Sequence, residues 1–172
     1  MTRKSHTNSP LHSLLPAILA TLLLALSACD SADCPIQNRV YTAYSVVGAD
    51  EKADTLRDTL TIFTHKKDGK DTILYNMGYN LAAFNLPISY ISPEDTLYFH
   101  QWRGTFDCTD TVRIAKTNTP HFESVECSAT FFHTITSVVS THYGIDTIII
   151  NNKNVNYDAT KKHFRIRFKA RD

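Results

Sequence analysis

Glycine and proline are scarce in this 172-residue chain, at five and six, so the composition is neither collagen-like nor disordered. Neither sign of charge dominates: 18 Lys and Arg stand against 17 Asp and Glu. That balance argues against a basic nucleic-acid binder and an acidic tail protein, so nucleic acid is not expected as a partner. Long apolar runs are missing as well. The apolar segment from Ala17 to Leu26 spans ten residues, half the roughly 20 that a membrane-crossing helix needs. No Cys-x-x-Cys pair, Gly-x-Ser-x-Gly elbow or phosphate-cradling glycine loop occurs. No usable Asn-x-Ser/Thr sequon occurs either, since Asn118-Thr119 is followed by Pro120. The expectation is a non-catalytic protein, with no catalytic residues and no cofactor.

What is present begins with an address. Arg3 and Lys4 supply a positive start, an uncharged stretch follows from Ser5 to Ala28, and Leu26-Ser27-Ala28-Cys29 closes it. The stretch reads as the short hydrophobic region of a secretory signal. The tetrapeptide resembles the bacterial lipobox, in which small residues fit the signal peptidase and the Cys sulfur takes a diacylglyceryl group. Residues 1–28 are therefore expected to be a lipoprotein signal peptide, 29–39 a lipidated Cys29 and its tether, and 40–172 the folded domain. Each buried methylene contributes ~0.8 kcal/mol, so two or three acyl chains would hold the protein at a membrane where one holds it only reversibly. Loss of Arg3 and Lys4 shifts the formal charge from +1 to −1. The expected location is the bacterial outer membrane, lipid-anchored, periplasmic or surface-exposed. Asp30 and Asp33 after the anchor are compatible with surface export or with a solvated tether.

The mature part reads as strands. Threonine fills 18 of the 144 residues from Cys29 onward, among frequent Tyr, Phe, Val and Ile. Such side chains suit a pleated, half-buried surface. Val40, Thr42, Tyr44 and Val46 alternate with Tyr41, Ala43 and Ser45. Leu60 and Ile62, the turn Lys67-Asp68-Gly69-Lys70, then Ile73 and Tyr75 predict a hairpin. Leu97 and Phe99 fall on one face, and Tyr98, His100 and Trp102 on the other, before Arg103-Gly104 turns the chain. A stretch from Thr130 to Thr141 meets Ile145 to Asn151 across Tyr143-Gly144. Turn signals about every ten residues, without strand–helix alternation, predict an all-β fold. The expected form is an antiparallel β-sandwich, immunoglobulin-like or related, with an up-and-down barrel as the alternative. In the last strand Phe164, Ile166, Phe168 and Ala170 alternate with His163, Arg165, Arg167, Lys169 and Arg171, a cationic face that reads as a solvated edge strand or, alternatively, as a cationic strip for anionic sugars or lipid headgroups.

Several residues could carry chemistry. His121, Glu123 and His133 make a two-His-one-carboxylate metal set conceivable if a neighbouring strand brings His133 alongside, which makes divalent-metal binding the alternative function. Asp-Thr-aliphatic recurs at Thr55, Thr59, Thr72, Thr96, Thr111 and Thr147. The structural reading is an Asp that caps a turn before a strand. The tripeptide also resembles the O-glycan acceptor pattern of Bacteroides-type proteins, which makes these threonines glycan candidates. Beyond Cys29, the cysteines Cys34, Cys108 and Cys127 allow one disulfide in three ways.

The runs Thr117 to Cys127, Phe132 to Ile135, Ile145 to Ile148 and Phe164 to Phe168, with Leu86 to Ser89 and Asp95 to Phe99, resemble a domain-of-unknown-function family of small Bacteroides-type lipoproteins. The resemblance covers most of the mature chain and implies an envelope location and a β fold, with no known activity. It matches Asp33-Cys34-Pro35 and Glu126-Cys127, and so implies a Cys34–Cys127 bridge with Cys108 unpaired. The membrane, through the anchor, and an envelope protein or glycan are the expected partners. Nothing in the sequence sets the oligomeric state.

Overall fold

A computed structural model describes residues 40–66, 68–158 and 160–171. The expected signal peptide, the expected lipid site Cys29 with its tether, and Cys34 lie outside the described residues. The described chain is all β. It runs β1 (Tyr41–Val46), β2 (Thr59–His65), β3 (Asp71–Gly78), β4 (Ala83–Pro87), β5 (Glu94–Arg103), β6 (Phe106–His121), β7 (Thr130–Ser140), β8 (Ile145–Ile150), β9 (Asn154–Val155) and β10 (Phe164–Phe168). Two sheets form, with orders β4-β1-β10-β8 and β3-β2-β5-β6-β7-β9.

The alternating patterns become the two faces of these strands. Leu60 and Ile62 of β2, Leu97 and Phe99 of β5, and Val112 and Ile114 of β6 turn inward from the six-stranded sheet. Tyr44, Phe84, Leu86, Phe164 and Ile166 face them from the other sheet, and all join one cluster. Tyr44 sits at its centre, stacked on Phe84 and Phe164 at 4.8 Å each and edge-on to Phe99 at 6.2 Å. Burial of each such side chain contributes about 1.5–3 kcal/mol, so this shared cluster holds the sheets together.

The β2–β3 and β5–β6 hairpins form where the turn residues place them, with His65 paired to Asp71 and Arg103 to Phe106. Four expectations need correction. The fold is no barrel, because the strands divide between two sheets. The order also departs from the immunoglobulin arrangement: β5, β6 and β7 form a meander inside one sheet, and the terminal strands β1 and β10 pair in parallel. That pairing makes β10 an interior strand with β8 on its other side, not an edge. Its arginines are neutralised across the surface instead: Arg165 bridges Glu51 at 2.6 Å, and Arg167 bridges Glu51 at 3.3 Å and Asp146. Finally, β7 and β8 follow one another but belong to different sheets.

The corner between β7 and β8 is organised by Asp110, a fully buried residue in the middle of β6. One carboxylate oxygen accepts from the Thr141 hydroxyl and the Tyr143 amide, and the other from the Gly144 and Ile145 amides, all at 2.7 Å. Backbone donors that a hairpin would have paired are thereby satisfied by a charged side chain, and the chain turns out of the sheet. Gly144 is required for a steric reason. A Cβ there would lie 2.5 Å from Gln101 Nε2 and 2.8 Å from Cys108 Sγ.

The strands have two ends. Val40, the β2–β3 turn, the β4–β5 loop and the β6–β7 loop gather at one, which we call the Val40 end. The β5–β6 turn, the β7–β8 corner and the residues after β10 gather at the other, the Arg171 end.

Candidate binding cleft

At the Arg171 end, the chain places a carboxylate between two guanidinium groups. Asp58 directly precedes β2 and is almost wholly buried. Its oxygens meet Arg103 Nε at 3.2 Å, from the end of β5, and Arg171 Nε at 2.8 Å, from beyond β10. The Arg171 guanidinium also lies 3.2 Å over the Phe106 ring, a cation–π contact that tolerates partial desolvation. A single carboxylate thus ties together three segments far apart in sequence. Arg171 Nη2 is buried and has no hydrogen-bond partner among the described residues.

These groups border an open cleft of about 600 Å³. Val46, Val47, Leu56 and Phe168 give it an apolar floor, and Arg57, Arg103, Arg167, Lys169 and Arg171 face Asp54, Asp58 and Asp146 around it. Five cations against three carboxylates leave an excess of two positive charges. Arg167 donates to Asp146 and to Thr147 Oγ1, and Lys169 Nζ donates to the His142 carbonyl, so both are held in place. Arginine forks fixed over an apolar floor suit a planar or tetrahedral oxyanion. Sequence reading placed Arg167, Lys169 and Arg171 on a cationic strip but missed Asp58, Arg103 and Phe106. Only the fold brings these together.

Cys108, whose sulfur lies beside Gly144 at the β7–β8 corner, is a free thiol. Burial, then the Asp110 carboxylate, pushes its pKa up, so it remains a thiol at neutral pH.

The His and Glu set is divided. His121 Nε2 meets Glu123 Oε1 at 3.2 Å, and its ring stacks on Phe132 at 4.2 Å. His133 pairs across the ladder with Asn118, three positions before His121, and so lies on the opposite face. There its Nδ1 meets Asn118 Oδ1 at 2.8 Å. Burial, and then the Lys116 ammonium, lower its pKa to about 4, so it is neutral. Among the described residues no group of three His, Cys, Asp or Glu stands close enough to hold a metal ion. His163, read as part of the cationic face, is fully buried. Its Nδ1 accepts from the Ala43 amide at 2.9 Å, and burial lowers its pKa.

The six glycan-candidate threonines are all half-buried. Thr72 Oγ1 is sealed from solvent, and Thr147 Oγ1 already accepts from Arg167. Thr59 opens β2 as the Asp-Thr pattern predicts, whereas Thr111 lies in the middle of β6, one residue after the buried Asp110. Cys127 is buried in the β6–β7 loop and receives the Ser124 hydroxyl at 3.3 Å. Its expected partner Cys34 is outside the described residues.

No curated protein and no solved structure matches the chain. Residues 59–168, from β2 through β10, match a family of unknown function, DUF6452. β1 lies just outside the match although it completes the four-stranded sheet. With nearly the whole β domain inside the matched segment, the chain belongs to the DUF6452 family.

Proposed function

We propose that this protein is a non-catalytic lipoprotein of the bacterial outer membrane. In this reading Cys29 carries the lipid, and the β domain binds an anionic group of an envelope protein or glycan. The carrying observation is the order of Arg3 and Lys4, a short apolar stretch and Leu26-Ser27-Ala28-Cys29 ahead of a β domain. The arginine cleft supports the binding half, because its fixed guanidinium groups and apolar floor suit a carboxylate- or phosphate-bearing chain. A Cys34–Cys127 bridge belongs to the same reading and would leave four residues between the lipid-bearing cysteine and the bridged one. The protein's exposure on the periplasmic or outer face follows from the same address.

Cell fractionation with intact-mass analysis tests the anchor. The native protein is expected in the membrane fraction, beginning at Cys29 with an added diacylglyceryl mass, and Cys29→Ala is expected to be soluble or unprocessed. Normal membrane fractionation of Cys29→Ala would refute the assignment. Affinity capture from detergent-solubilised envelope, repeated with Arg103→Gln, then tests whether the bound component depends on the cleft.

A further inference from the structure

The Val40 end exposes apolar side chains that the core does not use. Ile91 in the β4–β5 loop is 77% exposed, and Phe122 and Val125 in the β6–β7 loop are 64% and 101% exposed. Aromatic pairs lie behind them. Tyr90 stacks on Phe131 at 4.9 Å, and on the other face Phe132 carries His121 and Tyr157. β6, at 16 residues the longest strand, carries this hairpin past the core.

The loop that bears Ile91 is fixed from beneath. Asn118 Nδ2 donates to the Tyr90 and Ser92 carbonyls at 3.0 and 3.1 Å. Lys116 Nζ donates to the Ser92 carbonyl at 2.9 Å while it pairs with Asp95 at 2.9 Å, and its side chain is fully buried. A buried ammonium costs several kcal/mol unless it is paired and hydrogen-bonded. Here that buried network holds a loop whose isoleucine points to solvent. Apolar groups on separate, fixed tips suit a soft surface better than a flat protein face, and aromatic residues favour the membrane–water boundary.

We infer that the Val40 end docks on the bilayer, with Ile91, Phe122 and Val125 entering the boundary between headgroups and acyl chains. This inference rests on the reading of Cys29 as the lipid anchor. Val40 belongs to the same end and follows Cys29 by 11 residues, a contour of at most ~38 Å. The tether thus makes the contact intramolecular, so a modest apolar area suffices. The cleft then faces away from the membrane. Trp102 lies eight residue steps beyond Glu94 in β5, about 26 Å along the strand.

Trp102, the single tryptophan, lies at the Arg171 end and is 39% exposed, which gives a built-in reference. The lipidated mature protein is reconstituted into phosphatidylethanolamine–phosphatidylglycerol vesicles whose acyl chains are brominated near the headgroup. Wild type is compared with Val125→Trp and with Phe122→Trp, each in a Trp102→Phe background. The second replaces one exposed aromatic ring by another and covers a failure of the first to fold. Docking predicts blue-shifted, strongly quenched emission from both tip tryptophans and unquenched emission from Trp102. Unquenched tip emission in protein that floats with the vesicles and carries acylated Cys29 overturns the docking and leaves the anchor standing. Protein with a bare Cys29 that stays out of the vesicles overturns the anchor, and the docking with it.

Discussion

Asp110→Ala removes the acceptor that turns the chain from one sheet into the other. Four donors lose their partner. The Tyr143 amide and Thr141 hydroxyl are only partly buried and can turn to water. The Gly144 and Ile145 amides are buried and cannot. Each stranded buried donor costs about 1–3 kcal/mol, so the expected loss is about 4 kcal/mol. That is a large fraction of the roughly 5–15 kcal/mol that holds a domain folded. Asp110→Asn keeps one oxygen. If that oxygen stays on Gly144 and Ile145, the amide nitrogen meets the rotatable Thr141 hydroxyl, and only Tyr143 faces another donor, at a cost of about 1–2 kcal/mol. Urea denaturation of the protein, followed by Trp102 fluorescence, measures both. With a slope near 2 kcal/mol/M, the alanine variant's midpoint should fall by about 2 M and the asparagine variant's by less than 1 M. Amide exchange at Gly144 and Ile145 should quicken first. A loss under about 1 kcal/mol for Asp110→Ala, or equal losses for both variants, would refute the role of the carboxylate at this corner.

Gly144→Ala should destabilise by about 1–3 kcal/mol, because its methyl group lands on the buried Gln101 amide and the Cys108 sulfur. The double variant Gly144→Ala/Cys108→Ala should recover part of that loss in the same denaturation assay. His133 gives a pH dependence. Its folded pKa, about 4, lies below the 6.5 of an ordinary histidine, so as pH falls the unfolded chain takes up the proton first. Its contribution is complete above pH 6.5 and is lost as pH falls from 6.5 toward 4. Between pH 7 and 4.5 the wild type should therefore lose about 2 kcal/mol more than His133→Gln. Parallel curves for the two proteins would remove His133 from the account.

The strands and their tight turns were legible because period-two burial and turn chemistry are local properties. Leu97 and Phe99 against Tyr98 and Trp102 needed no knowledge of the rest of the chain. Partners were not legible. The alternation from Phe164 to Arg171 reads the same on an edge or an interior strand, and only the parallel seat beside β1 decides between them. Thr136 is the extra residue where the β6–β7 register shifts, between the Ala115–Ser137 and Lys116–Ile135 pairs, and such a bulge leaves no reliable trace in a Thr-rich run. Asp110 belongs to the repeated Asp-Thr-aliphatic pattern and reads as a turn cap, yet it caps a turn some thirty residues away from inside a strand. The cleft was half visible for the same reason. The basic residues of the last strand could be read in place, but Asp58 and Arg103 reach them only through the packing of both sheets.

The parallel seat of β10 has a consequence for how the protein is made. Tyr44 pairs with Phe164, 120 residues downstream, and β8 also waits for that last strand. A chain synthesised from its amino terminus cannot finish its smaller sheet until nearly the last residue has been added. Such distant pairing is slow to close. A product cut short before Phe164 lacks the filling between β1 and β8 and leaves Tyr44 without one of its two stacking rings. Only the complete polypeptide hides its apolar interior, so a protease can tell finished molecules from interrupted ones.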